Sequence, residues 1–294
     1  MTKPDLHAFI KAYDVRGLVG SQMTEEVVEA LAAGFVDEIG AAGARVVVGH
    51  DMRDSSPVFA EAFARGATAR GAEVVSIGLC STDMTYFASG VLDAPAAMFT
   101  ASHNPATYNG IKFSRVGAKG ISLDTGLGAI RDRAIAFLDA GIPAVGQRGE
   151  VVQQDVLRDY AAYLRELVDL SGIRPIRVVV DAGNGMGGRT VPAVLGEAAG
   201  LAKLPIEVIP LYFELDGTFP NHEANPSTPR TSSICRRRSS STAPTSASPS
   251  TATPTGASSS TSAASRSRPR PSPRSWPCER SSACGRPTRR TRSS

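Results

Sequence analysis

Pro95-Ala-Ala-Met-Phe99 runs directly into Thr100-Ala-Ser102-His103-Asn104-Pro105, and Tyr108-Asn109-Gly110-Ile111-Lys112-Phe113 follows three residues on. The apolar run reads as a buried strand bounded by turn formers. It empties into a loop with the Ser102 hydroxyl, an imidazole, two amides and, further on, a lysine. Ser102 therefore stands where a strand gives way to a loop, a place where a side chain is both exposed and held. The Ser-His pair suggests a nucleophile beside a proton acceptor. A loop serine bonded to its own backbone is the plainer account of the same residues.

Working outward, the chain up to about residue 140 alternates helix and strand signals. Phe9-Ile-Lys-Ala-Tyr13-Asp14-Val-Arg16-Gly17 comes first and ends in a turn at Gly17–Gly20. Thr24 suits a helix N-cap, Glu25 and Glu26 its first turn, and Gly40 its stop; Val27, Leu31, Phe35 and Ile39 recur at helical spacing between them. Val46–Val48 is a short buried strand leading to Asp51-Met-Arg53-Asp54-Ser55-Ser56. A second helix starts at Ser56-Pro57, with Pro at its first position, and runs to about Gly71. Val74–Ile77 is the next strand, a third helix follows Thr82-Asp83-Met84, and another spans Leu127–Leu138. Short β-branched strands alternating with helices imply crossover connections and a largely parallel sheet covered on both faces. In such a sheet the loops after the strands gather at the carboxyl edge, so the Asp51 and Ser102 loops should share it.

A second unit begins near Asp155, with a helix over Leu157–Leu170. The strand Val178–Val180 feeds Asp181-Ala-Gly183-Asn-Gly185-Met-Gly187-Gly188, and a helix is expected from Thr190 to Ala199. A glycine-rich turn between strand and helix can offer backbone N–H groups to a phosphate. A tight turn that needs positive φ is the plainer account, and the one favoured here. Ile206–Ile209 is a further strand, leading to Asp216-Gly-Thr-Phe-Pro220.

After Pro226 the composition changes. Ser227–Ser294 holds thirteen Arg, no Lys and one acid, Glu279, a net charge of +12 that leaves −8 on residues 1–226. Ile234 and Trp276 are its only large apolar residues, too few to offset the entropy of ordering, so disorder is expected. An Arg/Ser-rich tail can bind nucleic acid through phosphate contacts, but the aromatic interleaving that stacking requires is missing. Of four cysteines only Cys80 precedes residue 227, and Cys235, Cys278 and Cys284 lack the paired spacing of a zinc site. No run of eighteen or more apolar residues is present, and the N-terminus lacks the apolar core of a secretory signal. A cytoplasmic, reduced protein without a membrane span is the simplest expectation.

Five segments stand in one order: Ala12-Tyr-Asp-Val-Arg-Gly17, Asp51-Met-Arg-Asp-Ser-Ser56, Thr100–Pro105 with Asn109-Gly-Ile-Lys112, Asp181-Ala-Gly-Asn-Gly185, and Asp216–Pro220. Together they resemble the α-D-phosphohexomutase family, most closely its phosphomannomutase/phosphoglucomutase branch, over residues 9–226. The resemblance implies two successive α/β domains with mixed or parallel sheets, 1–145 and an incomplete 146–226, followed by the tail 227–294. It implies interconversion of hexose 1-phosphate and hexose 6-phosphate, of mannose or glucose, through a hexose 1,6-bisphosphate. Ser102 would be held as phosphoserine and would also ligate Mg²⁺ through its phosphate. His103 and Lys112 would assist with protons and charge, and Arg16, with Tyr13 near it, would approach the phosphoryl group. Arg16, Lys112 and Asn104 would bind the substrate. Each has a plain rival: Arg16 paired with Asp14 at the surface, Tyr13 a core residue with a wet tip, Lys112 merely solvated. His50 stands where the family often has arginine, and Asp83 follows Thr82 where proline is common.

The family's Mg²⁺ loop, with three aspartates, does not occur in the chain as written. Written in G/C-rich codons, Pro249-Ser-Thr-Ala-Thr-Pro-Thr-Gly256 becomes CCT TCG ACG GCG ACG CCG ACC GGx. Read one nucleotide earlier, this spells Phe-Asp-Gly-Asp-Ala-Asp-Arg, which is that loop. The same shift lets Ser227–Cys235 read Leu-Asp-Pro-Ala-Asn-Leu-Val-Asp-Leu. A frame change at Pro226/Ser227 is therefore expected, and with it a catalytically dead fragment lacking the later sugar- and phosphate-binding domains.

Overall fold

Helix and strand signals agree most closely over residues 24–50. In the computed structural model, which describes residues 4–225, helix α2 spans Glu25–Ile39; the Thr24 hydroxyl caps the Val27 N–H, and Gly40 closes the helix in the left-handed conformation at φ 68°. It follows a single-turn helix α1 (Leu6–Phe9) and strand β1 (Val15–Leu18). The chain continues through β2 (Arg45–His50), α3 (Ser55–Ala69), β3 (Glu73–Leu79), α4 (Thr82–Val91), β4 (Ala96–Phe99) and β5 (Tyr108–Arg115). A two-residue β6 (Lys119–Gly120), α5 (Leu127–Ala140), β7 (Val151–Gln153) and α6 (Leu157–Leu167) come next. Readings of the tail, its frame and its cysteines lie outside the described residues.

The main sheet has the order β1-β5-β4-β2-β3-β7, with β6 on β5. Its β4-β2-β3-β7 half is parallel, while β1, β5 and β6 are antiparallel to their neighbours. The sheet is thus mixed rather than largely parallel, and Tyr108–Arg115, expected as loop, is its longest strand. The chain returns directly from β4 to β5, and a direct return without a crossover helix yields an antiparallel pair. β7 lies past residue 145 in the chain but pairs in parallel with β3, closing the far edge of this sheet.

Alternation sorts the strand residues into two layers. Val46, Val48, Val74, Ala97, Phe99, Ile111 and Phe113 face α2, α3 and α5 in one core. Val47, Val75, Ile77, Ala96 and Met98 face α4 and α6 in the other, where Tyr160 of α6 meets Phe87 edge-on. Helix α3 begins at Ser55, so Pro57 is its third residue, still in the first turn where a missing N–H costs no helical bond.

Strand β8 (Ile176–Asp181), helix α7 (Gly187–Val194) and strand β9 (Ile206–Leu211) form a second α/β part, with β8 and β9 parallel. α7 begins three residues before Thr190 and ends five before Ala199. Pro192 lies within it, and the Pro192 carbonyl accepts from Ala198 N–H at 3.1 Å just past the helix end. Likewise α6 stops at Leu167 rather than Leu170. Arg165 of α6 donates to the carbonyls of Val194, Gly196 and Ala202, tying the end of α7 to α6. All described residues belong to one compact unit.

Candidate active site

The sheet reverses its winding between β2 and β4, since β2 leads to β3 on one side while β4 returns on the other. Crevices at such a point, outside the carboxyl ends of the strands, are where α/β sheets bind ligands. The loop after β2 holds Asp51 and Arg53, and the loop after β4 holds Ser102. The expected shared edge is real: Arg53 bonds directly to the Ser102 loop.

Arg53 is 2% exposed. Its Nη1 donates to the carbonyls of Pro105 and Tyr108 at 2.8 and 3.0 Å, and its Nη2 to those of Ser102 and Asn104 at 3.0 and 2.7 Å. Asp51 lies beside it, Nε to Oδ2 at 3.4 Å. Burial pulls the Arg53 guanidinium below its ordinary pKa, with Arg16 adding to the effect and Asp51 opposing it. Asp51 is itself anchored, its Oδ1 accepting from the Ser56 hydroxyl at 2.6 Å and from Arg53 N–H at 3.1 Å. Asn109, fully buried at the start of β5, donates to the hydroxyls of Ser55 and Ser56 at 2.8 and 2.9 Å.

On this base Ser102 is exposed and adopts φ 54°, the left-handed region that costs a non-glycine residue on the order of 1 kcal/mol or more. Its N–H is held by the Thr100 hydroxyl at 3.0 Å. Its own hydroxyl lies 3.4 Å from His103 Nδ1, a long contact of the kind that tightens only with substrate present. Arg16 reaches the loop from β1: Nη1 donates to the Asn104 side chain and Nη2 to Asp14, both at 2.7 Å. It is therefore both the partner of Asp14 and a member of the Ser102 cluster. Asn104 spends its amide oxygen on Arg16, which leaves its NH₂ group for any ligand. Arg16 stands opposite Gly110 in the β1–β5 ladder. A Cβ on Gly110 would lie 2.2 Å from the Val15 carbonyl oxygen, so only glycine lets β1 come this close.

Lys112 pairs with Met98 in the β4–β5 ladder, half-buried on the sheet face away from Phe113. Tyr13 is 78% exposed, not a core residue. The His50 ring sits 2.9 Å from the Asp51 carbonyl. Asp83 is in the first turn of α4, where a negative charge suits the helix N-terminus.

The Asp181–Gly188 segment is a packed turn in which four of the amides already have partners. Gly183 N–H bonds to Asp181, Asn184 N–H to the Tyr212 carbonyl, Gly185 N–H to Ala182 and Gly188 N–H to Gly185. His222 closes over it, Nε2 at 3.1 and 3.2 Å from the two Asp181 oxygens. The Asp216–Pro220 motif reaches back to the first site. Its Phe219 ring centroid lies 5.1 Å from the Arg53 guanidinium carbon. Thr218 donates twice to Asp216, by N–H at 2.8 Å and by hydroxyl at 2.6 Å, which lowers the carboxyl pKa.

The donor expected to meet an Mg²⁺ ion here is Ser102, through a phosphate upon it. Among the described residues no group of three or more His, Cys, Asp or Glu side chains is placed to hold a metal. Asp51 is already committed to Arg53 and Ser56. This donor set does not make a magnesium site by itself.

Models of the phosphoglucomutase/phosphomannomutase family match in two places, α/β/α domain I over residues 8–132 and α/β/α domain II over 158–243. The chain belongs to the phosphoglucomutase/phosphomannomutase family. It is 39% identical over 224 residues to a protein of Xanthomonas campestris pv. campestris named phosphohexose mutases, covering 74% of this chain and 47% of the relative. Identity to a phosphomannomutase of Escherichia coli is 37% over 223 residues, covering 74% and 48%. A crystal structure of a phosphoglucomutase/phosphomannomutase family protein from Burkholderia thailandensis superposes with TM-score 0.68 at 31% identity, over 80% of this chain and 50% of that one. The chain spans about half the length of these relatives. Sequence reasoning named the motif around Arg53 but gave the arginine no role. The one available signal was its place in a segment shared with the family.

Proposed function

We propose that this chain is the phosphoryl-carrying part of a hexose phosphate mutase, with Ser102 as the carrier. One observation bears most of the weight: an exposed serine, in left-handed backbone at the sheet's switch point, on a loop gripped from below by a buried arginine. In the forward step the bond between phosphorus and Ser102 Oγ breaks. A new bond forms from phosphorus to a sugar hydroxyl oxygen, whose proton passes to a nearby base. Ser102 Oγ leaves as an oxyanion and takes a proton, for which His103 is the adjacent group. Arg16 and Lys112 supply positive charge to the transferring phosphoryl group, Asn104 fixes Arg16, and Tyr13, largely exposed, approaches the group beside Arg16. Charge stabilisation and positioning are most of what phosphoryl transfer requires.

The substrates in this reading are mannose or glucose 1- and 6-phosphates, with a hexose 1,6-bisphosphate as intermediate and activator. Mg²⁺ belongs to the reading through the family resemblance, and no step above is routed through it. A cytoplasmic site of action accords with Cys80 being a free, buried thiol. The test is exposure of the chain to glucose 1,6-bisphosphate with Mg²⁺, followed by peptide mass spectrometry. Phosphate on Ser102, absent from Ser102→Ala, is expected; phosphate on another residue would overturn the assignment.

A second reading, that the chain as written is catalytically incomplete, rests on the out-of-frame Phe-Asp-Gly-Asp-Ala-Asp-Arg in residues 249–256. A coupled mutase assay on this chain and on a frame-restored version separates the two. Activity in the restored form alone supports incompleteness, and equal activity refutes it. DNA sequence across the Pro226/Ser227 junction tests the frame itself.

A further inference from the structure

We infer that Arg53 is the positioning residue of the Ser102 loop, and that the Asp216–Pro220 turn locks Arg53 in place from the far side. The proposal deepens the reading of Ser102 as phosphoryl carrier and rests on it. Between Ser102 and Tyr108 the chain turns four carbonyls inward, those of Ser102, Asn104, Pro105 and Tyr108, and all four end on one guanidinium at 2.7–3.0 Å. A planar fork with five fixed donors can hold four acceptors in one plane; an ammonium on a flexible stem cannot. The remaining Nε faces Asp51 at 3.4 Å, which neutralises the buried charge. All three guanidinium nitrogens face the loop's carbonyls or Asp51, so the effect of Arg53 on chemistry passes through the loop's shape.

The far side is closed by the second α/β part. Phe219 lies against the guanidinium at 5.1 Å, within range of a cation–π contact. Gly217 packs so closely that a Cβ there would stand 2.8 Å from Arg53 Cα and 3.2 Å from the Met52 carbonyl oxygen. The motif at 216–220 is thus fitted to the Arg53 backbone and side chain together. Through Arg53 it ties the phosphoryl-carrying loop to the second part of the chain.

Hydrogen exchange read by mass spectrometry on the full chain tests this without requiring phosphorylation. The Ser102, Asn104 and Tyr108 amides are bonded to the Thr100 hydroxyl and to the Ala101 and Pro105 carbonyls. Arg53→Lys should speed exchange in peptides covering 101–109 by about tenfold or more, the scale of losing bonds to a charged donor, while α2 and β3 stay within about twofold. Phe219→Ala should speed the same peptides by a smaller factor. Millimolar guanidinium should restore protection in Arg53→Ala but not in Arg53→Lys, a rescue that packing alone would not produce. Unchanged exchange at 101–109 in Arg53→Lys, an equal rise throughout the chain, or no rescue by guanidinium would each overturn the proposal. Failure of Ser102 to take phosphate would instead strike the functional reading and leave this result standing.

Discussion

Replacing Gly110 with alanine tests the geometry that brings Arg16 to the Ser102 loop. The added methyl would sit 2.2 Å from the Val15 carbonyl oxygen and 3.1 Å from that of Thr100, where ordinary contact begins at 3.4 Å. Both obstacles are backbone, so no rotamer relieves them. β1 must therefore retreat by about 1 Å, which stretches a ladder bond of ordinary length, about 2.9 Å, beyond hydrogen-bonding range. Two such bonds at about 1 kcal/mol each, plus loosened packing around the fully buried Val15, give a loss of about 2–4 kcal/mol. For a folded part of this size that lowers the melting temperature by about 5–10 °C. Circular dichroism melts of the full chain, wild type against G110A, read the shift. Gly90, exposed in α4 with nothing within 4 Å of its would-be Cβ, is the control. G90A should match or exceed wild type by about 0.5 kcal/mol. A G110A protein melting with wild type would refute the close approach of β1 and β5, and with it the placement of Arg16.

Two buried groups make pH-dependent predictions. Burial pushes the Cys80 thiol up to about 11, with the Thr85 hydroxyl bond opposing. The neutral thiol is favoured by folding, so its contribution is whole below about pH 8.5 and fades as pH rises toward the folded value. Alkylation at neutral pH followed by peptide mass spectrometry should leave Cys80 unmodified; reaction at the rate of a free thiol would show the site open. The Tyr160 phenol is raised to about 12 by burial, then by Asp83, against a hydrogen bond to Ser81. Its unfolded counterpart ionises near 10, so stability should fall between about pH 10 and pH 12. Ultraviolet phenolate titration should lose its highest step in Tyr160→Phe, and retention of that step would contradict the packing of α6 on α4.

What could be read beforehand was whatever depends on local chemistry. Thr24, Glu25, Glu26 and Gly40 announce α2 because caps and charges act within a turn of the residue that bears them. Val46–Val48 and Val74–Ile77 announce buried parallel strands by composition alone. Nothing local in residues 108–115 marks a strand, since an Asn-Gly pair such as Asn109-Gly110 ordinarily marks a turn. Here Gly110 is needed for a close strand approach, and Asn109 for a buried bond to the first turn of α3, more than fifty residues earlier. Arg53 was illegible for a related reason. In Asp51-Met-Arg53-Asp54 it has the composition of a solvated surface turn, and its partners are carbonyls, which every sequence possesses and none advertises.

The Asp51–Arg53 pair also shows why such a feature persists without stabilising the fold much. Removing two charges from water costs about as much as their attraction returns, so a buried ion pair is weak grounds for stability. A well-packed apolar pair could fill the same volume with little change in melting temperature. It could not supply directional donors to four carbonyls, and the loop would be released to relax Ser102 from its φ of 54°. Left-handed serine is the conformation the surroundings must impose, and Arg53, held on one side by Asp51, itself anchored by Ser56 and through it Asn109, and on the other by Phe219, is what imposes it. The stability of the fold and the shape of the Ser102 loop therefore rest on different residues: the first on two apolar layers around the sheet, the second on a polar node at its carboxyl edge.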